Sequence, residues 1–309
     1  MEDDGFCIEI SDLCVHFRGA RGKRIEAVKD LHLNVRPGEV VGFIGPNGAG
    51  KTTTIKVLMG FLAPQSGRVR VLGEAPGALN AKRRIGFLPE VALYYPFLSA
   101  REALLTYAVL ADIPRNRRKA VVDALLEKVG LSGRENEALR TYSKGMLQRV
   151  GIAQAVMGEP DLLILDEITS GLDPVARHDV RAILLDFKQR GKTVFFSSHE
   201  LTEVALLCDR IVLLDEGRLK ETRALPDILA SLKVFVVVAE NAGNFEPPLP
   251  ETRLAAVAGK RRTYVANSPA ARDELLRTLT AAGATVVDTR EEQGSLEEYF
   301  VSALGHKVT

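Results

Sequence analysis

Apolar residues recur along this chain in two rhythms, and the alternation between them outlines the fold. Compact runs read as strands: Phe6 to Phe17, Ala27 to Val35, Val40 to Ile44, Arg68 to Leu72, Asp161 to Asp166, Thr193 to Ser197 and Arg210 to Leu214. Between them the spacing turns helical. Leu104, Leu105, Ala108 and Ala111 share one face, as do Val121, Leu125, Leu126 and Val129, and a further helix runs from about Pro174 to Arg190. Strands alternating with helices predict an α/β fold with a largely parallel sheet covered on both faces. The stretch from about 96 to 160 is helical and interrupts it.

The strand Val40 to Ile44 runs into Gly45-Pro46-Asn47-Gly48-Ala49-Gly50-Lys51-Thr52-Thr53 and then a helix to about Leu62, stopped by Pro64 and the Gln65-Ser66-Gly67 turn. Gly45, Gly50, Lys51 and Thr52 fit G-x-x-x-x-G-K-[ST] in the strand-turn-helix setting of a P-loop. A triphosphate needs many donors close together. Glycines let backbone N–H groups turn inward, the helix start adds unpaired N–H groups, Lys51 brings an ammonium to the β and γ phosphates, and the Thr52 hydroxyl can ligate Mg²⁺. Downstream, the apolar run of DLLILD delivers Asp166 and Glu167 at its carboxyl end, the Walker B arrangement. Asp166 suits Mg²⁺ and Glu167 the polarisation of an attacking water. His199, at the end of the next strand, can contact a γ-phosphate or be merely structural. Phe17 can stack on a base or simply pack a strand end.

Composition narrows the classes. The 309 residues suffice for about two domains. A formal net charge of +1 leaves no field for steering onto nucleic acid or lipid, so the basic clusters at Lys82-Arg83-Arg84, Arg115 to Lys119 and Lys260-Arg261-Arg262 read as solvated faces. Cys7, Cys14 and Cys208 lack metal-ligand spacing and suggest a reducing compartment. The acidic start MEDDG is no signal peptide, and the longest apolar runs are strand length. Work at a membrane would need a partner that supplies the membrane part.

Between the two nucleotide motifs stands Tyr142-Ser143-Lys144-Gly145-Met146-Leu147-Gln148-Arg149, and Ser170-Gly171-Leu172-Asp173 follows the acids. With the P-loop, the Asp166-Glu167 pair and His199, these make five motifs in the order of the ABC transporter ATPases, which residues 8 to 220 resemble. The resemblance implies an ABC cassette with an N-terminal antiparallel β subdomain and a helical insertion. It implies ATP as the nucleotide, Mg²⁺ as the metal, and a head-to-tail dimer in which Ser143 and Gly145 of one copy meet the γ-phosphate on the other's P-loop. Asp173 then crosses the interface, His199 is the switch histidine, and Phe17 stacks on adenine. The second partner implied is a membrane-spanning permease, which places the chain at the cytoplasmic face of the membrane. The signature reads YSKGM in place of LSGGQ, Glu90 stands where glutamine is usual, and Ile168 replaces a common proline. Glu90 could bind Mg²⁺ or reach water, and it adds negative charge beside the phosphates. YSKGM followed by QR, with LPE before it, is similar to the ATPases of ABC-2 type exporters. The alternative is a soluble ABC-type ATPase that acts on ribosomes or nucleic acid without transport.

The cassette is expected over 1–222 and a C-terminal α/β accessory domain over 223–309. The latter reads as a helix (Pro226 to Leu232), a strand (Val234 to Ala239), a loop (Asn241 to Glu251), a strand (Arg262 to Ala266), a helix (Ala270 to Ala282), a strand (Thr285 to Asp288) and a last helix with Ser295 and Glu298 as its capping box. It resembles the small extension of the same exporter ATPases. Packing and dimer support are preferred for it over ligand sensing.

Overall fold

The computed structural model describes residues 5–19, 22–169, 171–243, 245 and 251–304, with the side chains of Gln293, Glu298 and Ser302 also left out. Ser170, most of the Asn241 to Glu251 loop and the Glu298 half of the expected capping box therefore lie outside the described residues. Two compact units are present, 1–223 and 224–309.

The first unit is built on two sheets. Strands β1 (Ile8–Arg18), β2 (Arg24–Val35) and, after β3 (Val40–Ile44) and helix α1 (Lys51–Leu58), β4 (Ser66–Val71) make an antiparallel sheet in the order β2-β1-β4. After the short α2 (Leu79–Lys82) come β5 (Ile85–Leu88), α3 (Ala100–Leu110), α4 (Arg115–Lys128), α5 (Lys144–Val156), β6 (Leu162–Leu165), α6 (Pro174–Gln189), β7 (Thr193–Ser198), α7 (Leu201–Leu207), β8 (Arg210–Asp215) and β9 (Arg218–Ala224). The second sheet runs β5-β6-β7-β3-β8-β9, and its pairs β5·β6, β6·β7, β7·β3 and β3·β8 are parallel.

Every residue of β3 and β6 is buried. That is why these strands read as unbroken apolar runs, since a central parallel strand is covered on both faces. Ile55, Val57 and Leu58 of α1 share one core with Ile8, Leu13 and Leu31 of the antiparallel sheet and with Phe43, Phe195 and Val212 of the parallel one. Each such side chain contributes about 1.5–3 kcal/mol on burial, so the P-loop helix is fixed to both sheets. The helix stops at Leu58, short of the expected Leu62. Gly60 takes φ 72° and donates to the Val57 carbonyl, while Phe61 donates to that of Lys56, a glycine-terminated end that Pro64 plays no part in.

The helical segment is started by Ser99, which accepts the Glu102 N–H while the Glu102 carboxylate accepts that of Ser99, a reciprocal cap at the head of α3. Arg101 then reaches Asp123 on α4, and Arg149 of α5 donates to the Val129 carbonyl at 3.1 Å.

In the second unit, α8 (Leu225–Ser231), β10 (Lys233–Glu240), β11 (Thr252–Ala258), β12 (Arg261–Ala266), α9 (Pro269–Ala281), β13 (Thr285–Gln293) and α10 (Leu296–Ala303) follow in order. The sheet order is β11-β12-β10-β13, with antiparallel pairs throughout. Phe235, Val237 and Tyr264 of the sheet and Leu275 and Leu279 of α9 form its core. Ser295 meets Glu297, accepting its N–H at 3.1 Å. Strands β5, β9 and β11 were not expected, the first being a run of only four residues. The charged RLKETRA and the alanine-rich TRLAAVA have weak strand signals and become strands through the neighbours they pair with.

Candidate active site

The chemistry gathers at the carboxyl ends of β3, β6 and β7, where the parallel register brings three loops side by side. One cavity of about 660 Å³ is lined there by the whole loop from Gly45 to Thr53 together with Ala27, Glu90, Glu167 and His199. Its floor is backbone. Gly45 sits at φ 153°, and a Cβ on it would lie 2.1 Å from the Leu214 carbonyl oxygen; Gly50 sits at φ 106°, where a Cβ would lie 2.4 Å from that of Ala27. Only glycine fits either position.

Lys51 is buried, and its ammonium donates to the carbonyls of Gly45 (2.7 Å) and Pro46 (3.2 Å), with Oε1 of Glu167 at 3.8 Å. The Thr52 hydroxyl lies 3.3 Å from Oδ1 of Asp166. A hydroxyl beside a carboxylate is a hard-oxygen pair that fits Mg²⁺. Glu167 takes a left-handed backbone, φ 52°, and its Oε2 lies 2.5 Å from Nδ1 of His199. The cavity thus holds a cation, a largely buried carboxylate and an imidazole around the space above a phosphate-binding loop.

Other expected residues stand elsewhere. Asp166 is buried and does not line the cavity, which it meets through the Thr52 hydroxyl. Ser143 is exposed at the head of α5, where it accepts the Met146 N–H at 3.2 Å. Asp173 caps α6 in the same manner, accepting from Ala176 at 2.8 Å. A Cβ on Gly145 would lie 3.1 Å from the Gly171 carbonyl oxygen. Phe17 is 41% exposed on β1, opposite Ile25. None of Ser143, Gly145, Asp173 or Phe17 lines the cavity. Two residues escaped the sequence reading. Ala27 had no signal, but Ser197 had one, as the hydroxyl that directly follows the apolar residues of TVFFSS: it is fully buried and touches both acid residues.

Comparison with known proteins identifies the family to which the chain is related. The ABC transporter family profile matches residues 28–170. An uncharacterized ABC transporter ATP-binding protein of Synechocystis is 38% identical over 284 residues, 91% of this chain and 79% of that one. The bacitracin transport ATP-binding protein BcrA of Bacillus licheniformis is 42% identical over 63% of this chain and 64% of its own length. The methionine import ATP-binding protein MetN of Ralstonia nicotianae is 34% identical over 89% and 81%. A solved ATP-binding subunit of an ABC transporter superposes with a TM-score of 0.65 at 31% identity, covering 72% of this chain and 92% of that structure. On these likenesses and on its phosphate-loop geometry, the chain belongs to the ABC transporter family, as an ATP-binding and ATP-hydrolysing cassette.

Proposed function

We propose that this cassette powers an exporter, working as an ATP-sandwiched dimer beneath a separate membrane-spanning partner at the cytoplasmic face of the membrane. The observation that carries the hydrolytic part is the single cavity in which Lys51, Glu167 and His199 face the phosphate loop. Phosphates entering it meet the loop's N–H groups and draw the Lys51 ammonium from its two carbonyls. Glu167 accepts the proton of the attacking water, and His199 orients that carboxylate. Thr52 and Asp166, with Glu90 at the rim, would hold Mg²⁺, which supplies charge neutralisation at the phosphates. Phe17 stacks on the adenine. Ser143, Gly145 and Asp173 serve the second copy's ATP, in keeping with their absence from the chain's own cavity.

Export is favoured by the YSKGM and LPE sequences, and relatives named for bacitracin transport, linearmycin resistance and Nod factor export support it. The methionine import relative makes import the competing direction. Among the described residues no helix is long and apolar enough to cross a membrane. A second groove, about 460 Å³ and lined by Leu93, Tyr95, Leu98, Tyr107 and Leu110 among others, offers an apolar seat for a segment of the permease. The C-terminal unit, residues 224–309, supports the dimer. The test is gentle purification from the native membrane: recovery with a polytopic permease, lost on Leu98→Asp, is the expected result. Recovery with ribosomes or nucleic acid and no membrane protein would overturn the transport reading.

A further inference from the structure

We propose that Ser197 is a positioning residue that sets both acids of the hydrolytic site through one hydroxyl. It lies at the end of β7 with no exposed surface. Its Oγ donates to Oδ1 of Asp166 at 2.6 Å and accepts the backbone N–H of Glu167 at 2.8 Å. A hydroxyl carries a single proton. With the Glu167 N–H on its lone pair, that proton goes to Asp166, so the rotor has one setting.

Two consequences follow from the surroundings. Glu167 is left-handed at φ 52°, a region disfavoured for residues with a Cβ. The residue before it is held by β5, since the Asp166 N–H donates to the Leu88 carbonyl at 2.8 Å. Ser197 pins the next N–H, and together they fix the turn that brings the Glu167 carboxylate to Lys51 and His199. On the other side, the Oδ1 that receives Ser197 is also the oxygen beside the Thr52 hydroxyl. Ser197 therefore orients the carboxylate that faces the metal-binding hydroxyl of the P-loop. An apolar residue of similar size would fit a buried strand end at no cost. A buried hydroxyl is costly unless it is bonded, and here, among the described residues, its bonds go to the Asp166 carboxylate and the Glu167 N–H.

The inference rests on Glu167 being the base, and its test separates the two. In the full chain, Ser197→Ala is compared with Ser197→Thr, which keeps the hydroxyl, and with Thr193→Val. Thr193 is equally buried at the other end of β7, and its hydroxyl accepts the Gly38 N–H at 3.0 Å. Ser197→Ala is expected to lower kcat about ten- to a hundredfold with little change in KM, and to raise the Mg²⁺ concentration that half-saturates binding of a fluorescent ATP analogue. Its Glu167 amide should exchange hydrogen faster while the Asp166 amide keeps its protection. Ser197→Thr should restore kcat and protection, and Thr193→Val should leave kcat and Mg²⁺ dependence alone. Wild-type kcat and Glu167 exchange in Ser197→Ala would overturn the proposal. So would equal losses in Thr193→Val with Asp166 deprotected as well, the mark of general loosening. If Glu167→Gln turned over normally, the base reading alone would fall, and the amide exchange would still decide the role of Ser197.

Discussion

Nδ1 of His199 lies 2.5 Å from Oε2 of Glu167, although the two residues come from neighbouring strand ends 32 positions apart. The imidazole is more than half exposed while the carboxylate is nearly enclosed, so the histidine closes over the acid from the solvent side. Removing the acid should leave binding intact. Glu167→Gln is expected to hold ATP and lower turnover by about 10² to 10⁴, read by phosphate release beside nucleotide titration. His199→Ala should also turn over slowly with ATP affinity kept, because the carboxylate loses its orienting partner.

The glycines of the phosphate loop should differ sharply in tolerance. Gly45→Ala places a methyl 2.1 Å from the Leu214 carbonyl oxygen, whereas Gly48, at φ 80°, has nothing within 4 Å of the added carbon. Gly48→Ala therefore meets only backbone strain, about 1–2 kcal/mol. Gly45→Ala should cost more in thermal stability and abolish ATP binding, as a paired melting and titration series would show.

Asp161, at the opposite end of β6 from the acids, is held below the usual carboxylate range by hydrogen bonds from Lys192 and then Arg84, at 2.7 and 2.8 Å. A depressed carboxylate pKa stabilises the fold above the unfolded value and ceases to do so as pH falls through the folded one. Asp161→Asn should thus lower the melting temperature at pH 7 and lose that difference in acid below about pH 3.8. The pairs are partly exposed, so the effect should stay near or under about 1 kcal/mol.

Thiol reactivity should separate the three cysteines. Burial pushes the Cys7 thiol up to about 11 and raises that of Cys208 further, while Cys14 is only half-buried. A thiol with a raised pKa stays protonated and unreactive at neutral pH. An aromatic disulfide reagent should therefore label Cys14 in the native protein, and Cys7 and Cys208 only after denaturant is added.

Much of this site was legible because its chemistry depends on backbone. The loop from Gly45 to Thr53 and the acids at the end of DLLILD are local patterns whose geometry follows from strand, turn and helix. Ser197 was not legible in the same way. Its partners lie 30 and 31 positions away, and only the parallel register of β6 and β7 brings them together. The edge strands β9 and β11 were missed for a related reason, since pairing and not composition makes them strands. The end of α1 turns on the left-handed conformation of Gly60, not on the proline after it.

The seating of Gly50 against the Ala27 carbonyl and of Gly45 against that of Leu214 has a mechanical consequence. Gly217 completes the contact, donating to the Ala49 carbonyl while accepting from Lys29 of β2. The loop is wedged between the antiparallel and parallel sheets, so any force a phosphate exerts on it is shared by both. A ligand that binds only the folded chain raises its melting point by mass action. Here nucleotide should stiffen the two sheets as one body and sharpen their unfolding into a single transition.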